Sequence, residues 1–212
     1  MPDTAFDSVE FVVVDLETTG TGPGRGDRIT EAAAVLVSGP RVEPVFHSLI
    51  NPRQPIPYFI TQLTGIDDAM VADAPTFGEV AGELAAHLAG RVFVAHNAQF
   101  DWGFLQAEFS RLAPGGAESL VESRLCTVRM ARRILRHLPR RNLDAVCAYY
   151  GIGNEGRHRA LGDAVATAQV LLRLLKDAER MGIHTIEALS RVARPRTRRT
   201  ALPSWSDGGE GA

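Results

Sequence analysis

FVVVDLETTG, residues 11–20, sets two carboxylates at the end of an otherwise apolar run. From Glu10 the segment is apolar on both faces and rich in valine, the pattern of a fully buried strand. Side chains two apart on a strand project from the same side, so Asp15 and Glu17 converge on one spot. Carboxyl ends of strands are where open α/β sheets bind their ligands. Ionised carboxylates are costly to desolvate unless something positive neutralises them. Taken alone, the pair also fits two solvated acids at a strand end.

Working outward, the loop TGTGPGRGD follows, then ITEAAAVLV and PVFHSLIN, which read as second and third strands of a meander. NPRQPIPYF is a proline-rich connection. TFGE, residues 76–79, is a capping box that opens a helix, and Phe77, Val80, Leu84 and Leu88 recur at helical spacing. RVFVAHN returns to strand and AQFDWGFLQAEFSRL to helix. Beyond the break APGG, the pattern predicts helices at 126–137, 141–150 and 161–180, with a short one at 185–192. Strands first, then alternation, then helices make one mixed α/β domain over residues 1–193. Residues 194–212, RPRTRRTALPSWSDGGEGA, are polar and rich in proline and glycine, and read as a flexible basic and polar tail.

A hydrophobic content of 45% with 23% charged residues is that of a globular protein in water. No apolar run approaches the roughly 18 residues of a membrane span. The start, MPDTAFDSVE, lacks the apolar core of a signal peptide. Cys126 and Cys147 make neither a disulfide framework nor a metal-ligand cluster. A cytoplasmic protein, without a membrane partner, is the expectation. The net charge of −2 hides an asymmetry. Residues 1–110 hold fifteen acids and five bases, whereas residues 111–212 hold ten acids and eighteen bases. Seven arginines fall between Arg124 and Arg141 with no acid among them, which suits a polyanionic partner.

Two further clusters carry chemistry. HNAQFD, residues 96–101, leaves a strand at His96 and Asn97 and brings Asp101 into the first turn of a helix. HRALGD, residues 158–163, sets His158 in a glycine-rich loop and Asp163 in the first turn of a long helix. Each is ordinary alone. Together, D-x-E-T-x-G, H-N-x-x-F-D and H-x-A-x-x-D, in this order and at these distances, resemble the DEDDh (DnaQ-like) 3′–5′ exonucleases. The nearest likeness is to the proofreading epsilon subunits of bacterial DNA polymerase III and their stand-alone relatives. It covers roughly residues 9–178, and ITEAAAV, ITQLTGI, APTFGEV and NLDAVCAYYGI agree with it.

The resemblance implies a ribonuclease H-like fold, a central mixed five-stranded sheet flanked by helices. It implies a site holding two Mg²⁺ or Mn²⁺ ions, with Asp15 bridging both. Glu17 and Asp163 would be further ligands of the water-activating ion, and Asp101 would hold the second, largely through water. His158, whose side chain titrates near neutrality when unperturbed, would be the general base. The backbone of Thr18, Thr19 and Gly20 would approach the terminal nucleotide. Leu63 and Phe100 match positions that pack on terminal bases, His96 and Asn97 either touch the nucleotide or fix the strand exit, and Thr64 stands where proofreading subunits often carry histidine. The implied activity is hydrolysis of DNA, preferably single-stranded 3′ ends, to nucleoside 5′-monophosphates in proofreading or repair. The alternatives are a 3′–5′ exoribonuclease in the manner of oligoribonuclease or RNase T, and a polymerase-docking subunit with mainly a binding role. DNA 3′ ends and a replicative polymerase are the implied partners, and a monomer the implied state.

Overall fold

Strand β1 (Glu10–Thr18) runs through the middle of the sheet, and Phe11, Val12, Val13 and Val14 have almost no exposed surface. That is why its sequence is apolar on both faces. The computed structural model describes residues 5–113, 115–154 and 156–193; the tail expected at 194–212 lies outside the described residues. β2 (Ile29–Ser38) pairs antiparallel with β1, and β3 (Arg41–Leu49) antiparallel with β2. β4 (Arg91–Ala95) and β5 (Val121–Cys126) continue in parallel on the other side, giving the order β3-β2-β1-β4-β5. This is the mixed five-stranded sheet that the resemblance implies.

Eight α-helices lie among the described residues: α1 (Tyr58–Thr64), α2 (Asp68–Val71), α3 (Phe77–Leu88), α4 (Ala98–Leu112), α5 (Thr127–Ile134), α6 (Leu143–Tyr150), α7 (Ala160–Arg180) and α8 (Ile186–Ala193). Even-numbered β1 residues, Val12, Val14 and Leu16, share a core with Phe77 and Leu84 of α3 and Phe104 and Leu105 of α4. Odd-numbered Phe11 and Val13 share the other core with Met130 of α5 and Leu171 and Leu174 of α7. By the same alternation Asp15 and Glu17 fall on the α7 face. Ala160, Ala164 and Ala168, four apart and fully buried, keep that helix close to the sheet. None of the helices among the described residues is long and apolar enough to cross a membrane.

Residue patterning alone misses three elements. β5 is hidden because Glu122 and Arg124 alternate outward from an edge strand whose one fully buried side chain is Leu125. The first helix is α1 rather than the one opening at Thr76. α1 and α2 lie in the connection after β3, over a small separate core of Ile56, Ile60, Ile66 and Val71. They are too short for periodicity to declare itself, though Pro57 before α1 and left-handed Gly65 after it are the expected stop signals. The capping box is present: the Glu79 carboxylate accepts the Thr76 backbone N–H at 2.7 Å.

Candidate active site

One carboxylate oxygen each from Asp15, Glu17 and Asp163 lies within 4.8 Å of the others. Two come from the end of β1 and the third from the first turn of α7, which the odd face of β1 meets. Asp101 approaches from the other side of the strand ends. Asn97, in a left-handed turn (φ 83°), swings the chain from β4 into α4 and brings Asp101 into its first turn. Asp101 is buried.

The electrostatics of this cluster are frustrated. Burial, then the charges of Asp101, Asp163, Glu17 and Glu31, hold the Asp15 carboxyl well above the ordinary carboxylate range. Burial, then Asp163 and Glu31, push Glu17 up to about 7, with Arg159 opposing. Asp101 is pushed up to about 8, chiefly by burial, against the pull of the nearby backbone amides of its own residue and of Leu16. Hard divalent cations take oxygen ligands and would remove this penalty, so the donor set fits such ions.

Asp163 is held on both oxygens: Asn154 Nδ2 donates to Oδ1 at 2.8 Å and the His158 backbone N–H to Oδ2 at 3.1 Å. Carboxylates have about four lone-pair sites, so room for a cation remains. His158 has a left-handed backbone (φ 59°), a conformation that non-glycine residues adopt at a cost. This ties the loop carrying the histidine to the helix carrying the aspartate.

Residues 18–20 are pinned by their neighbours. Thr18 Oγ1 donates to the Gly20 carbonyl at 2.6 Å, and the Thr19 N–H donates to Arg28 O at 2.8 Å. Thr19 Oγ1 accepts from Arg28 N and from Gln54 Nε2. A Cβ at Gly20 would overlap the Asp27 carboxylate, which accepts the Gly22 N–H at 2.8 Å, so a side chain there would require Asp27 to move. Leu63 is exposed (53%) on α1 beside the open faces of Tyr58 and Phe59. Phe100 is half-buried, stacks on Phe104, and with Asn97 lines a cleft of about 450 Å³ that also touches Thr21 and Gly103. Thr64 is buried, and its hydroxyl donates to Ile60 O and accepts from Ile66 N at the end of α1. His96 is tied down on both ring nitrogens. Its ring nitrogens meet Thr127 Oγ1 (2.8 Å) and Arg141 O (3.1 Å), and burial lowers its pKa to about 4, so it fixes the strand exit as a neutral ring.

Sequence reasoning missed Asn154 and a buried ion pair beside the cluster. Glu31, opposite Glu17 on β2 and fully buried, accepts from Arg159 Nη2 (2.6 Å) and Nε (3.0 Å), His47 Nε2 (2.8 Å) and the Ala160 N–H (2.9 Å). Burial works to raise its pKa, but these hydrogen bonds outweigh it and leave it lowered. The stability this supplies is therefore full above the ordinary carboxylate range and lost as pH falls through it. The signal was an acid inside the apolar run ITEAAAV. Arg159→Ala should cost about 3–5 kcal/mol in urea unfolding at pH 7, because it leaves a buried carboxylate short of its cation. A loss below about 1 kcal/mol would mean that His47 and the amide suffice.

The sequence profile described as Exonuclease, of the RNase T family, matches residues 12–171. The chain belongs to that exonuclease family. It is 39% identical over 193 residues to a DNA polymerase III subunit epsilon-like protein of Rhodobacter capsulatus, covering 89% of this chain and 27% of that protein. It is 34% identical over 183 residues to the 3′-5′ exonuclease DinG of Bacillus subtilis, covering 86% of this chain and 19% of that protein. The chain thus spans less than a third of the length of these relatives. Among solved structures, exonuclease X in complex with 5′ overhanging duplex DNA superposes with a TM-score of 0.64 at 26% identity, covering 87% of this chain and 99% of that one. Residues 12–171 are thus a domain of the exonuclease family with a ribonuclease H-like fold, and that family depends on metal.

Proposed function

We propose that this chain is a 3′–5′ exonuclease acting on DNA, preferably single-stranded 3′ ends, in cytoplasmic proofreading or repair. The observation that carries the reading is the convergence of Asp15, Glu17 and Asp163 within 4.8 Å, with Asp101 and the His158 loop beside them. Asp15, Glu17, Asp101 and Asp163 would hold two Mg²⁺ or Mn²⁺ ions. Bound there, such ions supply charge neutralisation on the phosphate and an acidified water. His158 accepts the proton of the attacking water as its oxygen joins phosphorus and the bond to the 3′-oxygen breaks, leaving a nucleoside 5′-monophosphate. The Thr18–Gly20 backbone borders the 3′-hydroxyl, and Leu63 and Phe100 flank the terminal bases, a contact tolerant of sequence. The epsilon-like and 3′-5′ exonuclease relatives support both the polarity and the DNA substrate.

Competition between a DNA oligonucleotide and RNA of equal sequence tests the substrate class. The expected result is a DNA kcat/KM at least about tenfold higher, roughly 1.4 kcal/mol of discrimination. A preference for RNA would move the enzyme to the exoribonuclease branch.

A further inference from the structure

α5 carries arginines that the catalytic cluster does not use. The helix buries Thr127, Met130 and Ala131, and Arg129, Arg132 and Arg133 stand exposed on it, with Arg136 exposed in the turn that follows and Arg140 beyond. Positions 129 and 132/133 are three and four apart and share one helix face, and Arg136 continues the stripe just past the helix end. Among the described residues none of these five arginines lies within 4.0 Å of a carboxylate. Arg136 Nε does donate to the Arg133 carbonyl at 3.3 Å, and the neighbours in sequence are held as well. Arg124 sits over the Trp102 ring at 4.8 Å and near Glu118, and Arg141 donates to the carbonyls of Leu135 and Arg136.

The register fixes where the stripe begins. Val13 of β1 is level with Val94 of β4, and Ala95 of β4 with Cys126 of β5. Thr127, the first residue of α5, therefore stands level with Asp15 and two strands away, about 10 Å at the usual strand spacing. His96 holds both Thr127 and the Arg141 carbonyl, so the start of α5 and the loop after it are fastened to the end of β4. Eight helical residues extend the stripe a further ~12 Å.

We propose that this stripe is the track for the phosphates of the nucleic-acid strand a few nucleotides upstream of the 3′ end, a proposal that rests on the nuclease reading above. Charge distribution favours this occupant. Residues 1–110 carry fifteen acids against five bases, so a polyanion is repelled over much of the remaining surface. Unpaired guanidinium groups are suited to phosphate and hold it at little desolvation cost. The line from Asp15 to Arg136 would then let a strand end at the carboxylates while its upstream phosphates lie on α5.

The test uses the triple substitution Arg132→Ala, Arg133→Ala and Arg136→Ala, two substrates and one binding measurement. On a 20-nucleotide single strand, kcat/KM should fall about 10- to 100-fold, mostly through KM. On the nitrophenyl ester of thymidine 5′-monophosphate, which has no upstream phosphate, the rate should stay within about twofold. Binding of the 20-mer in chelator, followed from 50 to 300 mM salt, should lose about 2 from its log–log slope, three contacts at roughly 0.7 each. An unchanged KM and slope, or equal losses on both substrates, would overturn the proposal. If the unsubstituted protein hydrolyses neither substrate, the nuclease reading fails, while the binding slope still decides whether the stripe holds phosphates.

Discussion

Asp15→Asn is expected to lower turnover on single-stranded DNA by roughly 10³-fold or more and, in the same variant, to make the metal-free protein harder to unfold at pH 8. The first effect follows from removing the central charge on which cation binding at the site depends. The second follows from the repulsion among the acids. Glu17 and Asp101 are held near 7 and 8, and Asp15 is raised as well. Acids whose folded pKa is raised keep protons that the unfolded chain has already released. Metal-free stability must therefore fall as pH climbs from about 4.5 to about 8, with the full penalty above that window. For Glu17 alone, about 7 against an ordinary 4.5, the penalty is on the order of 3 kcal/mol. Asn at position 15 removes one source of it, so the gain in denaturation midpoint should be clear at pH 8 and absent near pH 4. Mn²⁺ should raise the midpoint of the parent protein, since a ligand that binds only the folded state stabilises it, and should raise that of the variant far less. A variant less stable than the parent at pH 8 would show that Asp15 is compensated from within the protein.

His158→Asn is the second large effect. Asn is chosen over Ala because position 158 has a left-handed backbone, which Asn adopts more readily than most residues. The hydrogen bond to Asp163 comes from the backbone N–H and survives the change. What is lost is the imidazole alone. kcat should drop about 10²- to 10⁴-fold, the usual contribution of a positioned general base, while Mn²⁺ affinity by calorimetry stays within about threefold. A variant within tenfold of the parent rate would assign the proton transfer to another group. Loss of metal affinity would instead give residue 158 a role in shaping Asp163.

Much of this site could be read before the fold was known, for a local reason. Asp15 and Glu17 interrupt a strand that is otherwise apolar, and Asp101 and Asp163 each sit in the first turn of a helix beside a recognisable strand exit or glycine-rich loop. The period of two along β1 even sets the face they share. The parts that stayed hidden depend on contacts distant in sequence. Glu31 meets Arg159 across 128 positions, and no spacing rule links them. Asn154 lies in an unremarkable loop and matters only because α7 presents Asp163 to it. Thr64 is buried because Ile60 O and the Ile66 N–H take its hydroxyl, and neither contact is marked in the sequence. β5 and the two short helices before α3 escaped because edge polarity and brevity erase the periodic signal.

The most direct test follows a 5′-labelled single-stranded DNA oligonucleotide in Mg²⁺ or Mn²⁺, with Asp163→Asn as the control. The expected result is a ladder shortening one nucleotide at a time from the 3′ end. Nucleoside 5′-monophosphates should be the released product, and no shortening should occur with the substituted protein or in chelator. A strand that stays full length, that loses its label first, or that is cut equally well by Asp163→Asn would contradict it.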